Sequence, residues 1–333
     1  MKVLAIGDPH FMIKNIPEVE IFVKKLEELI KNENPDYIVM LGDLLHEHER
    51  LHTIPLNIAY NFIKMLSSYA YTYCIVGNHD LINNKQYLTD NHWMNAMKDW
   101  DNVKVIDKVI TENNFVFCPY VPPGRFTEAV ESYIKSDTKC VFAHQEFYGC
   151  KMGAIVSVEG DKWLDTHPIV ISGHIHSNQR PQDNVYYPGA SLQHAFGESE
   201  KNIIPIITFS DSGYDIREVD LELPRKKIVY VDIENIDDYE VKDTKHKLKI
   251  KLSGNYEEFK TFKKSVKYKE LSKKGIKISY KPKKVEEKIN DIDSSDFLKI
   301  LHNLVIKEKN SYLLSDYNHI FLNREKNEDV IIL

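Results

Sequence analysis

The sequence predicts an α/β protein whose larger part is a four-layer α/β/β/α sandwich. Up to about residue 220, short runs rich in β-branched and aromatic residues alternate with longer amphipathic runs. Several short runs are apolar on both faces, as expected for strands that are covered by a layer on each side. Between residues 184 and 219 the predicted strands follow one another without helices, which favours two stacked sheets over a simple doubly wound sheet.

The main part is predicted to span residues 1–222, with six strands and three helices before its final β-rich stretch. The strands are expected at residues 3–6, 37–41, 71–76, 115–119, 140–143 and 169–171. The helices are expected at residues 19–30, 56–66 and 91–100, where apolar positions recur at helical spacing.

A second unit is predicted for residues 226–284, a small β-α-β capping domain. Its strands are expected at residues 228–233, 248–252 and 276–280, and its helix at residues 257–271. Residues 285–333 are predicted to form a linker and a C-terminal helix. The apolar face of this helix would consist of Phe297, Ile300, Leu301, Leu304 and Val305.

The composition is typical of a water-soluble globular protein, with 42% hydrophobic and 28% charged residues. No apolar run approaches the ~20 residues of a membrane-spanning helix, and the apolar run at the N-terminus is too short for a secretory signal. The four cysteines form no C-x-x-C pair, which favours buried reduced thiols. We therefore expect a cytoplasmic or nuclear protein without a membrane partner.

The charge of the chain is unevenly distributed. Its formal net charge is −6, but residues 241–284 contain 16 lysines and 4 acidic residues, a net charge of +12 that leaves −18 elsewhere. Such asymmetry is typical of a polyanion-binding segment joined to a body of opposite charge, and predicts contacts with the backbone of a nucleic acid. The alternative is that these lysines form an ordinary solvated surface.

Polar residues follow five of the predicted strands at the point where each strand ends. Any one of these ends alone would be explained by a common turn or a solvated histidine. Five together indicate more, because the carboxyl ends of neighbouring strands meet at one edge of an α/β sheet, where binding and catalytic sites form. The five segments are Gly7-Asp8-Pro9-His10, Gly42-Asp43, Gly77-Asn78-His79-Asp80, His144-Gln145 and Ser172-Gly173-His174-Ile175-His176.

The residue types at these strand ends indicate a metal site. Carboxylate and amide oxygens are mixed with imidazoles, and no thiolate is present, which suits a Mn²⁺-, Fe- or Zn-type centre better than a structural four-cysteine zinc site. The donors are too many for one ion, so two ions that share a carboxylate are implied. Paired ions about 3.5–4 Å apart hold a phosphoryl group and activate water.

These motifs, in this order, resemble those of the calcineurin-like metallophosphoesterases. The D-x-H, G-D, G-N-H-D, H and G-H-x-H motifs correspond to residues 8–10, 42–43, 77–80, 144 and 173–176. Within this superfamily the chain is most similar to SbcD-type DNA nuclease subunits, because His46 follows Asp43 at the third position and because residues 187–198 resemble their Y-P-G-S…F-G-E segment. The short length is similar to phage and large-virus forms.

The resemblance implies a role for each residue of the motifs. One ion is assigned to Asp8, His10, Asp43 and His176, and the other to Asp43, Asn78, His144 and His174, with Asp43 as the bridge. His79 would protonate the leaving oxygen, Asp80 would orient its imidazole, and His46 would contact phosphate or orient the site. His46 is expected at a helix start, facing the pocket of Asp43, whereas Glu47, His48, Glu49 and His52 are expected on a solvated helix face.

The resemblance also implies a function. It predicts a two-metal DNA phosphodiesterase, an exo- and endonuclease subunit that uses Mn²⁺, works with an SMC-like coiled-coil ATPase and forms a homodimer. The helices at 56–66 and 91–100 would form the dimer, or pack in the core of their own subunit, and the tail helix would bind the ATPase, or dock on its own domain. The alternatives are a phosphatase or nucleotide phosphodiesterase of the same superfamily, and a non-catalytic scaffold at DNA ends.

Overall fold

The computed structural model describes residues 1–48, 50–242, 245–282, 294–308 and 311–317. The strands of these residues are β1 (Lys2–Ile6), β2 (Tyr37–Met40), β3 (Tyr71–Ile75), β4 (Val103–Ile106), β5 (Ile110–Glu112), β6 (Phe115–Phe117), β7 (Cys140–His144), β8 (Lys151–Met152), β9 (Ile155–Val156), β10 (Ile169–Gly173), β11 (Gln179–Gln182), β12 (Val185–Tyr187), β13 (Ile204–Ser210), β14 (Gly213–Val219), β15 (Lys226–Asp232), β16 (Lys247–Gly254) and β17 (Lys277–Pro282). The helices are α1 (Ile16–Glu33), α2 (Thr53–Ser67), α3 (Phe126–Val130), α4 (Tyr256–Phe262), α5 (Val266–Lys273), α6 (Ser294–Lys307) and α7 (Ser311–Tyr317).

Two six-stranded sheets form the main part of the protein. The first has the order β14-β13-β1-β2-β3-β4 and the second the order β11-β12-β10-β7-β6-β5. Strands β1, β2, β3 and β4 are parallel to one another, as are β12, β10, β7 and β6. In each sheet the carboxyl ends of the central strands therefore lie along one edge, where loops from neighbouring strands meet.

The alternation of side chains along the strands produces the layers. In β1, Leu4 and Ile6 belong to the core shared with α1 and α2, whereas Val3 and Ala5 pack with residues of the second sheet, such as Phe142. The opposite face of the second sheet forms a third core with α3 and surrounding loops. Because successive side chains point to opposite faces, both sheets are covered on both sides, and the predicted four-layer sandwich is confirmed.

The third sheet, β15-β16-β17, is parallel and has a core of its own. The predicted single helix at 257–271 is instead two helices, α4 and α5, because the hydroxyl of Ser265 accepts a hydrogen bond from the Tyr268 backbone N–H and starts a new helix. Lys247 of this sheet forms an ion pair with Glu18 at the start of α1. The division into domains at 1–222, 226–284 and 285–333 stays a prediction.

The region expected to be a helix at 91–100 is not α-helical, and the prediction was wrong there. Residues Trp93–Met97 form a 3₁₀ turn, because His92 contacts Asp107 and the indole of Trp93 donates to Asp80, contacts that draw the segment into the loops. Of the side chains expected at a dimer interface, Phe62 and Met97 are buried in the subunit's own core. For these two residues, this burial agrees with the alternative that they pack in the core of their own subunit.

The tail is described in part. Helix α6 covers the expected helix at 297–305, but the side chains of residues 294–299 and all of residues 283–293 and 318–333 lie outside the described residues. On α6, Val305 is buried, whereas Ile300 and Leu304 are exposed. Within the described part of the chain, no helix combines the length and hydropathy needed to cross a bilayer.

Candidate metal centre

The five predicted strand ends converge on one place between the two sheets. Asp8 and His10 follow β1, Asp43 follows β2 and Asn78 follows β3, all in the first sheet, whereas His144 ends β7 and the histidines after β10 come from the second. Among the described residues, three groups have their ligand atoms within 4.8 Å of one another, and two of these groups consist only of predicted ligands. These two are Asp8, His10 and His176, and Asp43, His144 and His174. The structure therefore brings together all seven residues that the sequence predicts as ligands.

The first group is arranged around two imidazoles that face each other. The Nε2 atoms of His10 and His176 are 3.0 Å apart, and His10 Nε2 lies 3.5 Å from Asp43 Oδ2. The Oδ2 atom of Asp8 is buried and has no hydrogen-bond partner among the described residues. A buried carboxylate oxygen without a partner is costly, and a cation between these atoms would satisfy it.

The second group converges on the side-chain oxygen of Asn78. This Oδ1 lies 2.9 Å from His144 Nε2 and 2.9 Å from His174 Nδ1, and His144 Nε2 is 3.3 Å from Asp43 Oδ2. The other ring nitrogen of His144, Nδ1, is 2.7 Å from the carbonyl oxygen of Leu41 and donates to it. Such a contact selects the tautomer in which Nε2 is free to bind a metal.

Burial and neighbouring charges shift the pKa values of several side chains at the centre. Burial raises the pKa of Asp8 to about 6 and lowers the pKa of His174 to about 3, which leaves that imidazole neutral. Burial also lowers the pKa of His144, but the charge of Asp43 outweighs this and raises it to about 9. Burial lowers the pKa of His176 as well, but the carboxylate of Glu198 outweighs this and raises it above its usual value. Divalent cations fit this donor set of oxygens and imidazoles.

The backbone of the centre is strained. Four of the predicted ligands have positive φ angles, namely Asp8 (37°), His10 (45°), Asp43 (51°) and His174 (81°). Side-chain-bearing residues rarely adopt this conformation, and it concentrates at functional sites, where the surrounding structure holds it in place. The chain thus tolerates unfavourable backbone conformations to point these side chains inwards.

Position 77 requires a glycine because the side chains of Asp43 and His144 lie against its Cα. A Cβ atom at this position would lie 2.2 Å from Asp43 Oδ1 and 2.9 Å from His144 Cε1. We expect Gly77→Ala to displace both side chains and to lower phosphoesterase activity by about 100-fold, the scale of a 1 Å misplacement. The activity is measured against that of Gly124→Ala, where nothing lies within 4 Å of the new Cβ and the substitution adds only the backbone strain of a positive φ of 81°. Equal activities of the two variants would contradict the role of close packing.

Comparison with known proteins assigns this arrangement to a family. The family model for calcineurin-like phosphoesterases matches residues 1–191, the part of the chain that contains the centre. The chain belongs to the calcineurin-like phosphoesterase family. It is therefore a hydrolase of the metallophosphoesterase superfamily, whose members use divalent metals.

Two viral proteins are similar to this phosphoesterase over most of its length. "Putative phosphoesterase 078R" of Invertebrate iridescent virus 3 is 45% identical over 316 residues, which cover 90% of this chain and 91% of the relative. "Putative phosphoesterase 244L" of Invertebrate iridescent virus 6 is 47% identical over 277 residues, 79% of this chain and 98% of the relative. The phosphoesterase Yfce of E. coli has a TM-score of 0.33 and 11% identity to this chain, over 67% of this chain and all of its own.

The other predicted residues of the phosphoesterase centre surround His79. Its Nδ1 lies 2.6 Å from the backbone carbonyl oxygen of His46, and its ring contacts that of His10 edge-on, with centroids 4.7 Å apart. His46 is placed by a loop and not by a helix start, because α2 begins at Thr53. The backbone N–H of His79 donates to Asp43 Oδ1 at 2.8 Å, which ties this segment to the predicted bridging ligand.

Asp80, expected to orient the His79 imidazole, has different partners. Its Oδ2 accepts from the backbone N–H groups of Asp43 (2.9 Å) and Gly77 (3.0 Å), and its Oδ1 from the indole of Trp93 (2.8 Å). Burial raises the pKa of Asp80 to about 7. The carboxyl group thus fixes the two loops that present the ligands, and the imidazole of His79 is held by His46 instead.

Sequence reasoning missed several neighbours of the centre. His48, expected on a solvated helix face, instead stacks on His79, whereas His52 is exposed as expected and Glu49 lies outside the described residues. His194 contacts His10 and His176 ring to ring, and its Nε2 donates to the carbonyl oxygen of Asp8 at 2.9 Å. The segment 187–198 contains His194, but nothing in its spacing marked this residue.

Proposed function

We propose that the protein is a two-metal phosphodiesterase that cleaves DNA, an SbcD-type exo- and endonuclease with Mn²⁺ at its centre. The phosphoesterase family and the donor set support the chemistry. The choice of DNA rests on one observation, a basic groove that borders the centre.

This groove has a volume of about 950 Å³ and lies between the third sheet and the start of α1. Its lining contains one acidic residue, Glu18, and six lysines. The lysines are Lys14, Lys226, Lys245, Lys247, Lys274 and Lys277. His194 lines the same groove, and its ring centroid is 4.9 Å from that of His10. A polyanion held by the lysines would therefore lie beside the metal centre, without any reading of base sequence.

The residues of the centre have distinct tasks in this proposal. Asp8, His10, Asp43 and His176 would hold one cation, and Asp43, Asn78, His144 and His174 the other. Paired cations neutralise the phosphoryl oxygens and lower the pKa of water. In its cationic form, His79 keeps the Nδ1 proton on the backbone carbonyl oxygen of His46 and would pass the Nε2 proton to the oxygen whose bond to phosphorus breaks.

The substrate is tested with end-labelled duplex DNA. We expect cleavage with Mn²⁺, none with EDTA, and slower hydrolysis of phosphopeptides and cyclic nucleotides. Intact DNA beside rapidly hydrolysed phosphopeptide or cyclic nucleotide would establish the phosphatase or nucleotide phosphodiesterase alternative. DNA binding without hydrolysis of any of these esters would establish the scaffold.

Substitutions in the groove test how DNA is held. Lys274 and Lys277 are exposed and line the groove, so Lys274→Glu with Lys277→Glu is expected to weaken DNA binding and to reduce its salt dependence. Each lost phosphate contact lowers the slope of log affinity against log salt by about 0.9. The matched control changes Lys264 and Lys269 to Glu, two exposed lysines that do not line the groove. Equal losses in both variants would mean that overall charge, and not the groove, holds DNA.

We also propose that the chain forms a homodimer and binds an SMC-like coiled-coil ATPase. Ile54 and Tyr60 of α2 are exposed, as are Ile300 and Leu304 of α6, which are four residues apart and share one helix face. These surfaces support the two assemblies. Solution mass, measured alone and with the ATPase, tests both: Ile54→Glu should halve the mass of the dimer, and Leu304→Glu should release the ATPase.

A further inference from the structure

His48 lies against the imidazole of His79. The two ring centroids are 4.2 Å apart and the rings are nearly parallel, with an interplanar angle of 24°. The Nδ1 of His48 is 3.3 Å from the backbone carbonyl oxygen of Leu81, two residues beyond His79. The ring of His48 is thus held by stacking and by a hydrogen bond along one short segment, residues 79–81.

The other ring contacts of His79 are looser than the one with His48, since the ring of His10 meets it edge-on with centroids 4.7 Å apart and the ring of His46 is nearly parallel to it at 5.5 Å. Nδ1 is held by the carbonyl oxygen of His46 at 2.6 Å, which fixes one edge of the ring. The imidazole can still rotate about the axis of this hydrogen bond, so the bond alone does not fix the tilt of the ring plane. A stacked neighbour restricts this tilt, because aromatic faces at this distance are in van der Waals contact.

His48 is placed for this task by the loop that follows β2. Leu45 pairs with Phe11 through a backbone bridge, after which the backbone of His46 and the ring of His48 both reach the imidazole of His79. Among the described residues, the ring and hydrogen-bond contacts of His48 are with His79 and Leu81. Its removal therefore leaves the predicted metal ligands untouched.

We propose that His48 is a positioning residue that holds the imidazole plane of His79, so that Nε2 points at the leaving oxygen of the phosphodiester. This inference rests on the proposed role of His79 as general acid. The chemical step is unchanged: water attacks phosphorus, the bond from phosphorus to the leaving oxygen breaks, and that oxygen takes the proton of Nε2. The proton lost by the attacking water passes to solvent, and the imidazole is protonated again for the next turnover. The ring of His48 acts by its shape, so a phenyl ring should replace it.

The test uses two phosphodiesters that differ in their need for a proton. A thymidine dinucleotide releases an alkoxide, which requires protonation, whereas bis-p-nitrophenyl phosphate releases a stable phenolate, which does not. We expect His48→Ala to lower kcat for the dinucleotide about tenfold, less than the roughly 100-fold that a 1 Å misplacement costs. Activity on the nitrophenyl ester and the Mn²⁺-induced thermal shift should stay unchanged. His48→Phe should restore the dinucleotide activity.

The His79→Ala variant separates this inference from the proposed function. This variant should also lose activity on the dinucleotide while keeping its activity on the nitrophenyl ester. Adding His48→Ala to it should have no further effect, as expected for two residues that act through one group. If His79→Ala is selective but His48→Ala is not, or if His48→Phe fails to restore activity, the positioning role is overturned and the general acid stands. If His79→Ala affects both esters equally, the general-acid role fails and the inference fails with it.

Discussion

Mn²⁺ is expected to raise the thermal unfolding midpoint of the protein by about 5–10 °C, and Asp43→Asn is expected to remove most of this increase. A ligand at 100 times its Kd stabilises the folded state by about 2.7 kcal/mol, and each kcal/mol shifts the midpoint of a unit of about 200 residues by roughly 2–4 °C. Asp43 is decisive because its Oδ2 lies within reach of both groups, 3.5 Å from His10 Nε2 and 3.3 Å from His144 Nε2.

Asn at position 43 keeps the size of the side chain and an oxygen that can accept from the backbone N–H of His79, but it removes the charge. Each protein is compared with its own metal-free midpoint in a thermal melt, so any change in intrinsic stability cancels. Asp36→Asn is the control, because Asp36 is exposed and accepts from the backbone N–H of Lys2 at the start of β1, the end of the strand opposite the centre. An undiminished Mn²⁺ shift in Asp43→Asn would mean that the cation binds elsewhere.

His79→Ala is expected to lower the rate of DNA cleavage by about 10²–10⁴-fold, the contribution of a general acid, while the Mn²⁺-induced thermal shift is retained. The imidazole lies 4.7 Å, centroid to centroid, from that of His10, close enough to reach an ester held at the centre. Its backbone N–H, which binds Asp43, survives the substitution, so the bridging carboxylate stays in place. The rate is measured with end-labelled DNA at saturating Mn²⁺.

His167→Ala is the control for this loss, because His167 packs against Trp163 outside the centre and should leave the rate unchanged. A rate loss in His79→Ala accompanied by loss of the Mn²⁺ shift would assign His79 as a ligand instead of an acid. The structure would explain that outcome, because the ring nitrogens of His10, His46 and His79 also lie within 4.8 Å of one another and could hold a cation.

The six strands given by range were predictable because of their surroundings, whereas β4 and β5 at the sheet edges were missed. Residues 3–6 and 140–143 are apolar at every position, and the structure buries all of them. A strand that is covered by a layer on each side must be apolar on both faces, so a continuous apolar run in the sequence indicates a buried strand. Helix α1 was predictable for a related reason, since Val19, Phe22, Leu26 and Ile30 are all buried and their spacing follows the helical repeat.

The predicted helix at 91–100 failed because tertiary contacts outweighed a weak helical pattern. The indole of Trp93 donates to the buried carboxylate of Asp80, and a buried carboxylate without such partners is costly. The need of the Asp80 carboxylate for a hydrogen-bond donor therefore determined the conformation of a segment 13 residues further along the chain. No local pattern in residues 91–100 records that requirement.

The sequence by itself determined which residue types stand at the ends of which strands, and from these the parallel edge, the family and the seven candidate ligands. Tertiary structure alone decided which side chains touch: that His48 stacks on His79, that Asp80 binds Trp93, and that His194 joins the centre to the basic groove. The physical reason is the range of the interactions. Burial and periodicity act within one element and leave a local pattern, whereas hydrogen bonds and ring contacts between loops depend on how distant segments are brought together.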